Sequence, residues 1–115
     1  IMIGGSISSY SQMCVSGEVF HQLANIKADL LVLGTNALDV NGGYSDSDWE
    51  TVQVKKAMIH ASKKTAVLTI TEKLNTVLKM KIASLSEVNY VITEEEPNHK
   101  KLQPYKSAVP SLVVI

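Results

Sequence analysis

Apolar residues gather along the chain in five short runs, at positions 1–3, 28–33, 66–70, 90–92 and 112–115. The runs are largely continuous rather than alternating, as in strands buried on both faces of a parallel sheet. The segments between them carry a helical period. Val19, Leu23 and Ile26 fall at i, i+4 and i+7, and Val54, Ala57, Met58 and Ala61 at i, i+3, i+4 and i+7. Strands alternating with helices predict an α/β fold with a mostly parallel sheet and helices on both faces. Ser47-Asp48-Trp49-Glu50 has the form of a capping box, with Ser47 as N-cap and Glu50 three positions into the second helix. There is no repeat, low-complexity tract or linker, so residues 1–115 are taken as one domain. The charged stretch 94–101, with Pro97 and Asn98, predicts a solvated loop or short surface helix.

Bulk composition narrows the function more than the fold. Hydrophobic residues make up 45% and charged residues 19% of 115 positions, an ordinary globular balance. Eleven basic residues are matched by eleven acidic ones. A domain that grips nucleic acid through phosphates carries a basic excess, so direct DNA contact is not expected. No apolar run approaches the ~20 residues of a membrane helix, and no basic start leads into an apolar stretch. The single cysteine, Cys14, has no disulfide partner in the chain and suits a reducing cytoplasm. His21, His60 and His99 share no metal-ligand spacing. Neither a GxGxxG nor a Walker-type loop occurs, so no dinucleotide, nucleoside triphosphate or other cofactor is expected.

Ligands of open parallel sheets collect beyond the carboxyl ends of the strands. The segments that follow the runs are Gly4-Gly5-Ser6, then Gly34-Thr35-Asn36-Ala37-Leu38-Asp39 with Gly42-Gly43-Tyr44-Ser45, then Thr71-Glu72-Lys73. This is a mixture of small, amide-exposing and charged residues suited to a polar anion. Asn36 and Asp39 can hydrogen-bond sugar hydroxyls, or equally close their own turn, since Asn41-Gly42 is a turn signal. Glu50 shares the face of Val54 and Ala57, which would bring its carboxylate to the sheet's edge if it does not serve only as a cap. Lys73 could meet a phosphate as a point charge or be an ordinary surface lysine.

Together these segments resemble the C-terminal effector domain of DeoR-type repressors. That family carries Gly-x-Asn-Gly-Ile-Asp at a strand end, then Gly-x-Thr, then a helix with Glu-x-x-Val-Lys-Arg-Ala-Met. Here the corresponding stretches are Gly34-Thr-Asn-Ala-Leu-Asp39, Gly43-Tyr-Ser45 and Glu50-Thr-Val-Gln-Val-Lys-Lys-Ala-Met58. Gly4-Gly5, Gly17, Ala28-Asp29 and Tyr90-Val-Ile-Thr93 extend the likeness over nearly the whole chain. The family's Asp-Ser-Ser-Lys is replaced by Ile70-Thr71-Glu72-Lys73, where Glu72 could neutralise the lysine, and a second family glycine by Ala37. The resemblance implies a Rossmann-like fold similar to ribose-5-phosphate isomerases and glucosamine-6-phosphate deaminases. It implies that Asn36, Asp39 and Glu50 contact ligand hydroxyls, that Gly34 and Gly43 let backbone pass close, and that Lys73 pairs with ligand charge. The expected partner is a phosphorylated sugar or related metabolite. The family's helix-turn-helix and its Gly-Ser-Thr phosphate loop would lie before Ile1, so the chain is expected to be truncated at its N-terminus. DNA would be reached only through that preceding domain, and a homo-oligomer is expected.

Three functions follow in order: a non-enzymatic sensor of a repressor, a sugar-phosphate isomerase or deaminase of the same fold, and an oligomerisation module without a ligand. The enzyme needs a positioned acid and base, for which Asp39 and Glu50 are the candidates.

Overall fold

A computed structural model describes residues 1–115. Helix α1 (Gly17–Leu23) leads into strand β1 (Ala28–Gly34), followed by the short strands β2 (Ala37–Asp39) and β3 (Gly43–Asp46). Helix α2 (Trp49–His60), β4 (Ser62–Leu68), β5 (Met80–Ala83), β6 (Tyr90–Ile92), α3 (Gln103–Ala108) and β7 (Val113–Val114) complete the chain. Strands β1, β4, β6 and β7 form a parallel sheet in that order, and β2, β3 and β5 a separate antiparallel one. The mostly parallel α/β arrangement expected from the apolar runs is therefore present.

The parallel register places Leu33, Val67, Val91 and Val114 in one row. All four are buried, in one cluster with Val52 of α2, Leu38, Tyr44 and Ile82 of the antiparallel sheet, and Tyr105 of α3. Residues one step out of phase face the opposite way. Leu30, Val32, Leu68 and Val113 of that face are exposed, so residues 1–115 cover one face of the parallel sheet. Helix α1 packs instead on α2, through Val19 and Leu23 against Val54.

Several local expectations are corrected. Residues 1–3 are not a strand: they lie in an irregular segment with Ile1 and Met2 fully in solvent, and no strand offers them a ladder of hydrogen bonds. Helix α1 stops before Ile26, because the Asn25 side chain donates to the His21 carbonyl and ends the turn. The cap of α2 is Asp48, not Ser47. Its carboxylate accepts from the Thr51 amide at 3.0 Å and the Thr51 hydroxyl at 2.6 Å, while Ser47 Oγ is engaged with the Tyr10 hydroxyl at 2.9 Å. Strand β4 begins at Ser62, earlier than its apolar run, because pairing with β1 carries the exposed Lys63 and Lys64 into the sheet.

Candidate functional site

The carboxyl ends of β1, β4 and β6 come together around a cavity of about 370 Å³, lined by Gly34 and Thr35, Leu68 to Ile70, Lys73, and Ile92 to Glu94. Three threonines, a lysine and a glutamate therefore meet where neighbouring parallel strands end. A larger hollow of about 450 Å³ lies at the amino ends of β1 and β4, between Phe20, Ile26, Ala57 and His60. The strand-end cavity is the better candidate site, because backbone and side-chain polar groups converge where open sheets take ligands.

Thr35 is 5% exposed, and its Oγ1 is a buried side-chain oxygen with no hydrogen-bond partner. Burying a hydroxyl unpaired costs roughly 1–3 kcal/mol, and this one has no surface open to the cavity that Thr35 lines. Lys73 follows β4 in a single 3-10 turn, Thr71–Lys73. Its ammonium makes no salt bridge, and the anticipated neutralisation by Glu72 does not occur.

Behind Gly34 lies a buried polar cluster. Asp46 is fully buried, and its Oδ2 accepts from Asn36 Nδ2 at 2.9 Å and lies 3.4 Å from Lys55 Nζ. Oδ1 accepts from the Ser47 amide at 2.7 Å and from Tyr10 Oη at 3.4 Å. The Gly34 carbonyl accepts from Tyr44 Oη at 2.6 Å and from Lys55 Nζ at 3.4 Å, and the ammonium stands 5.3 Å from the Tyr44 ring centre. Burial alone would raise the Asp46 pKa. The hydrogen bonds from Ser47 and Asn36, with the Lys55 charge, outweigh it and hold the carboxyl below its ordinary value. Burial lowers the Lys55 pKa, and the positive charge of Lys73 adds to that push while Asp46 opposes it. Burial, reinforced by Asp46, drives the Tyr44 phenol far above its usual range. Asp46, Lys55 and Tyr44 escaped the sequence reading. The available signal was phase: Lys55 lies three positions after the buried Val52 and four after the buried Thr51, on the inward side of α2.

Of the residues singled out from sequence, Gly34 and Lys73 line the same cavity. Asn36 is exposed and does not line it, its side-chain amide donating to Asp46. Asp39 closes the β2–β3 hairpin, its Oδ2 accepting from the amides of Asn41 at 3.0 Å and Gly42 at 2.7 Å. Gly43 has φ +71° and an absent Cβ that would collide with the Ala83 carbonyl oxygen, so its glycine is required where β3 pairs with β5. Glu50 is exposed in the first turn of α2 rather than on the inward face of Val54, and its carboxylate makes no hydrogen bond.

The class is thus an α/β domain whose parallel sheet ends at a polar cavity backed by a buried ion pair. The family model described as "DeoR C terminal sensor domain" matches residues 1–95, and the chain belongs to that family. The matched span includes every residue of the cavity. The chain is similar to the "Glycerol-3-phosphate regulon repressor" of Haemophilus influenzae, at 29% identity over 84% of this chain and 38% of that protein. It is also similar to the "HTH-type transcriptional regulator GlpR" of Haloferax volcanii, at 30% identity over 81% of this chain and 36% of that protein. A "Putative aga operon transcriptional repressor" of Escherichia coli O157:H7 is 23% identical over 100% of this chain and 43% of its own length. The chain therefore spans about two fifths of the curated relatives it matches. The role of a regulatory sensor domain follows from the family. No helix is long and apolar enough to cross a membrane.

Proposed function

We propose that this chain is the ligand-sensing part of a DeoR-type transcriptional repressor. In this reading it binds a phosphorylated sugar or polyol in the cavity beyond β1, β4 and β6. Binding alters the hold on DNA of a separate helix-turn-helix domain in a longer, homo-oligomeric, cytoplasmic protein. The observation that carries the reading is the place of Lys73, which is in no salt bridge, beside Gly34, Thr69 and Thr93 at one strand-end cavity in a sensor-family chain. Lys73 would meet the phosphoryl group, and the Thr69 hydroxyl, whose proton goes to the Ile70 carbonyl, would accept from a ligand hydroxyl. Gly34 leaves open space where a Cβ would stand, which suits close passage of a ligand along the end of β1. Asn36 would act on the site only through Asp46, to which its amide donates. Asp39, Gly43 and Glu50 lie further from the ligand, holding the hairpin and opening α2.

The same geometry speaks against the isomerase reading. The Asp39 carboxylate is committed to two backbone amides and Glu50 points into solvent, so the two do not face one reacting atom. Neutral net charge supports a sensor that leaves DNA contact to another domain.

Glycerol 3-phosphate, which one relative's name contains, is the first probe. Added at millimolar concentration to the regulator that carries this chain, it should raise the melting temperature, by linkage. Lys73→Met should remove the rise. A panel of polyol and sugar phosphates that leaves the melting temperature unmoved would overturn the reading.

A further inference from the structure

The mouth of the cavity is formed on one side by Glu94, and its carboxylate is unusually well held. Glu94 Oε1 accepts from the Thr71 amide at 2.8 Å and the Thr71 hydroxyl at 2.7 Å, and Oε2 accepts from the Thr93 hydroxyl at 2.7 Å. Glu95 Oε1 stands 3.1 Å from the same Thr71 hydroxyl, a second acid behind the first. The bonds from Thr71 and Thr93 hold the Glu94 carboxyl down at about 2, so it is ionised throughout the physiological range. An amide and two hydroxyls converging from two loops are groups that would otherwise suit a phosphoryl oxygen. Here the chain's own carboxylate occupies them. Lys73 is the one cation lining the cavity, and it has no acidic partner.

On the reading of this cavity as the ligand site, we infer that Glu94 is a specificity-determining residue that limits the ligand to a single phosphoryl group. Lys73 answers one such group. A second would have to approach a fixed negative charge and find the Thr71 and Thr93 donors engaged. The cavity thus takes polyol or sugar monophosphates and rejects bisphosphates.

Calorimetric titration of the 115-residue chain and of the regulator that carries it tests this, with inorganic phosphate, glycerol 3-phosphate and fructose 1,6-bisphosphate as probes. The wild type should bind glycerol 3-phosphate tighter than the bisphosphate by about fivefold or more, the order of one exposed unit charge at contact distance. Added salt should narrow that gap. Glu94→Gln, isosteric and at an exposed position, should bring the ratio near one by strengthening the bisphosphate. Glu94→Asp, which keeps the charge, should preserve the preference. A wild type that favours the bisphosphate, or a ratio equal in wild type and Glu94→Gln, overturns the inference and leaves the site standing. Absence of binding by all three probes overturns the site itself. Should Glu94→Gln fail to fold, the salt dependence of the wild-type ratio decides: a ratio that salt does not move counts against a charge filter.

Discussion

Lys55 Nζ lies 3.4 Å from Asp46 Oδ2, with 8% and 0% of the two side chains exposed. This pair joins the inward side of α2 to the end of β3 and, through the Gly34 carbonyl, to the end of β1. A buried pair adds little over a well-packed apolar one, but removal of one partner leaves the other charge stranded. Asp46→Leu alone should therefore destabilise the domain by roughly 3 kcal/mol or more, read by urea unfolding. The double variant Asp46→Leu with Lys55→Met should cost less than the sum of the singles. Additive losses would show that the two groups do not interact.

Asp46 also sets an acid limit. Its folded pKa lies below the ordinary value of 3.8, so the folded state prefers the charged form. The stability this supplies is complete above about pH 4, the unfolded pKa, and is lost as pH falls through the lower folded value. Asp46→Asn should flatten the acid limb of a stability-versus-pH curve. An unchanged limb would place the acid sensitivity in other carboxyls.

Asp48, rather than Ser47, should behave as the cap of α2. Asp48→Ala should cost about 1 kcal/mol, the usual worth of an N-cap, because it leaves the Thr51 amide without its acceptor. Ser47→Ala removes an exposed bond to Tyr10 and should cost less than about 0.5 kcal/mol. The reverse order in thermal unfolding would restore the serine as cap.

Thr35 carries a buried hydroxyl without a partner. With no partner for its buried Oγ1, Thr35→Val should leave the free domain as stable as before, or more so by up to about 1 kcal/mol. The same change should leave the affinity for glycerol 3-phosphate unaltered, because the hydroxyl has no surface open to the cavity. Unfolding and calorimetry on one preparation read both effects, and a loss of affinity would show that the hydroxyl turns to the ligand.

The structure shows which features were legible along the chain. Runs 28–33 and 90–92 were legible as strands and are β1 and β6, but β1 is not buried on both faces as its continuous apolar run predicted: Leu30 and Val32 stand exposed on the side of the sheet away from the core. The Ala66–Val67 core of β4 was visible, but Lys63 and Lys64 hid its start. The run at 1–3 had the same local pattern and is no strand, since a strand needs a partner and pattern alone supplies none. Asn41-Gly42 read correctly as a turn, but the hairpin it closes did not, because β2 and β3 are too short to show a period. Lys73 was legible as the charge after β4, and its family context gave it a purpose.

From the sequence alone came the α/β class and the family, with the expectations that a neutral piece does not touch DNA and that a ligand lies at the loops after β1 and β4. These depend on local pattern and motif, which survive without coordinates. Only the tertiary structure decided which residues of those loops meet. It brought Thr35, Lys73 and Glu94 to one cavity, turned Asp39 into a hairpin clasp, and buried Asp46 against Lys55. Convergence of strand ends far apart in the chain depends on sheet order and register. Those are set by the packing of the whole core, and no single segment encodes them.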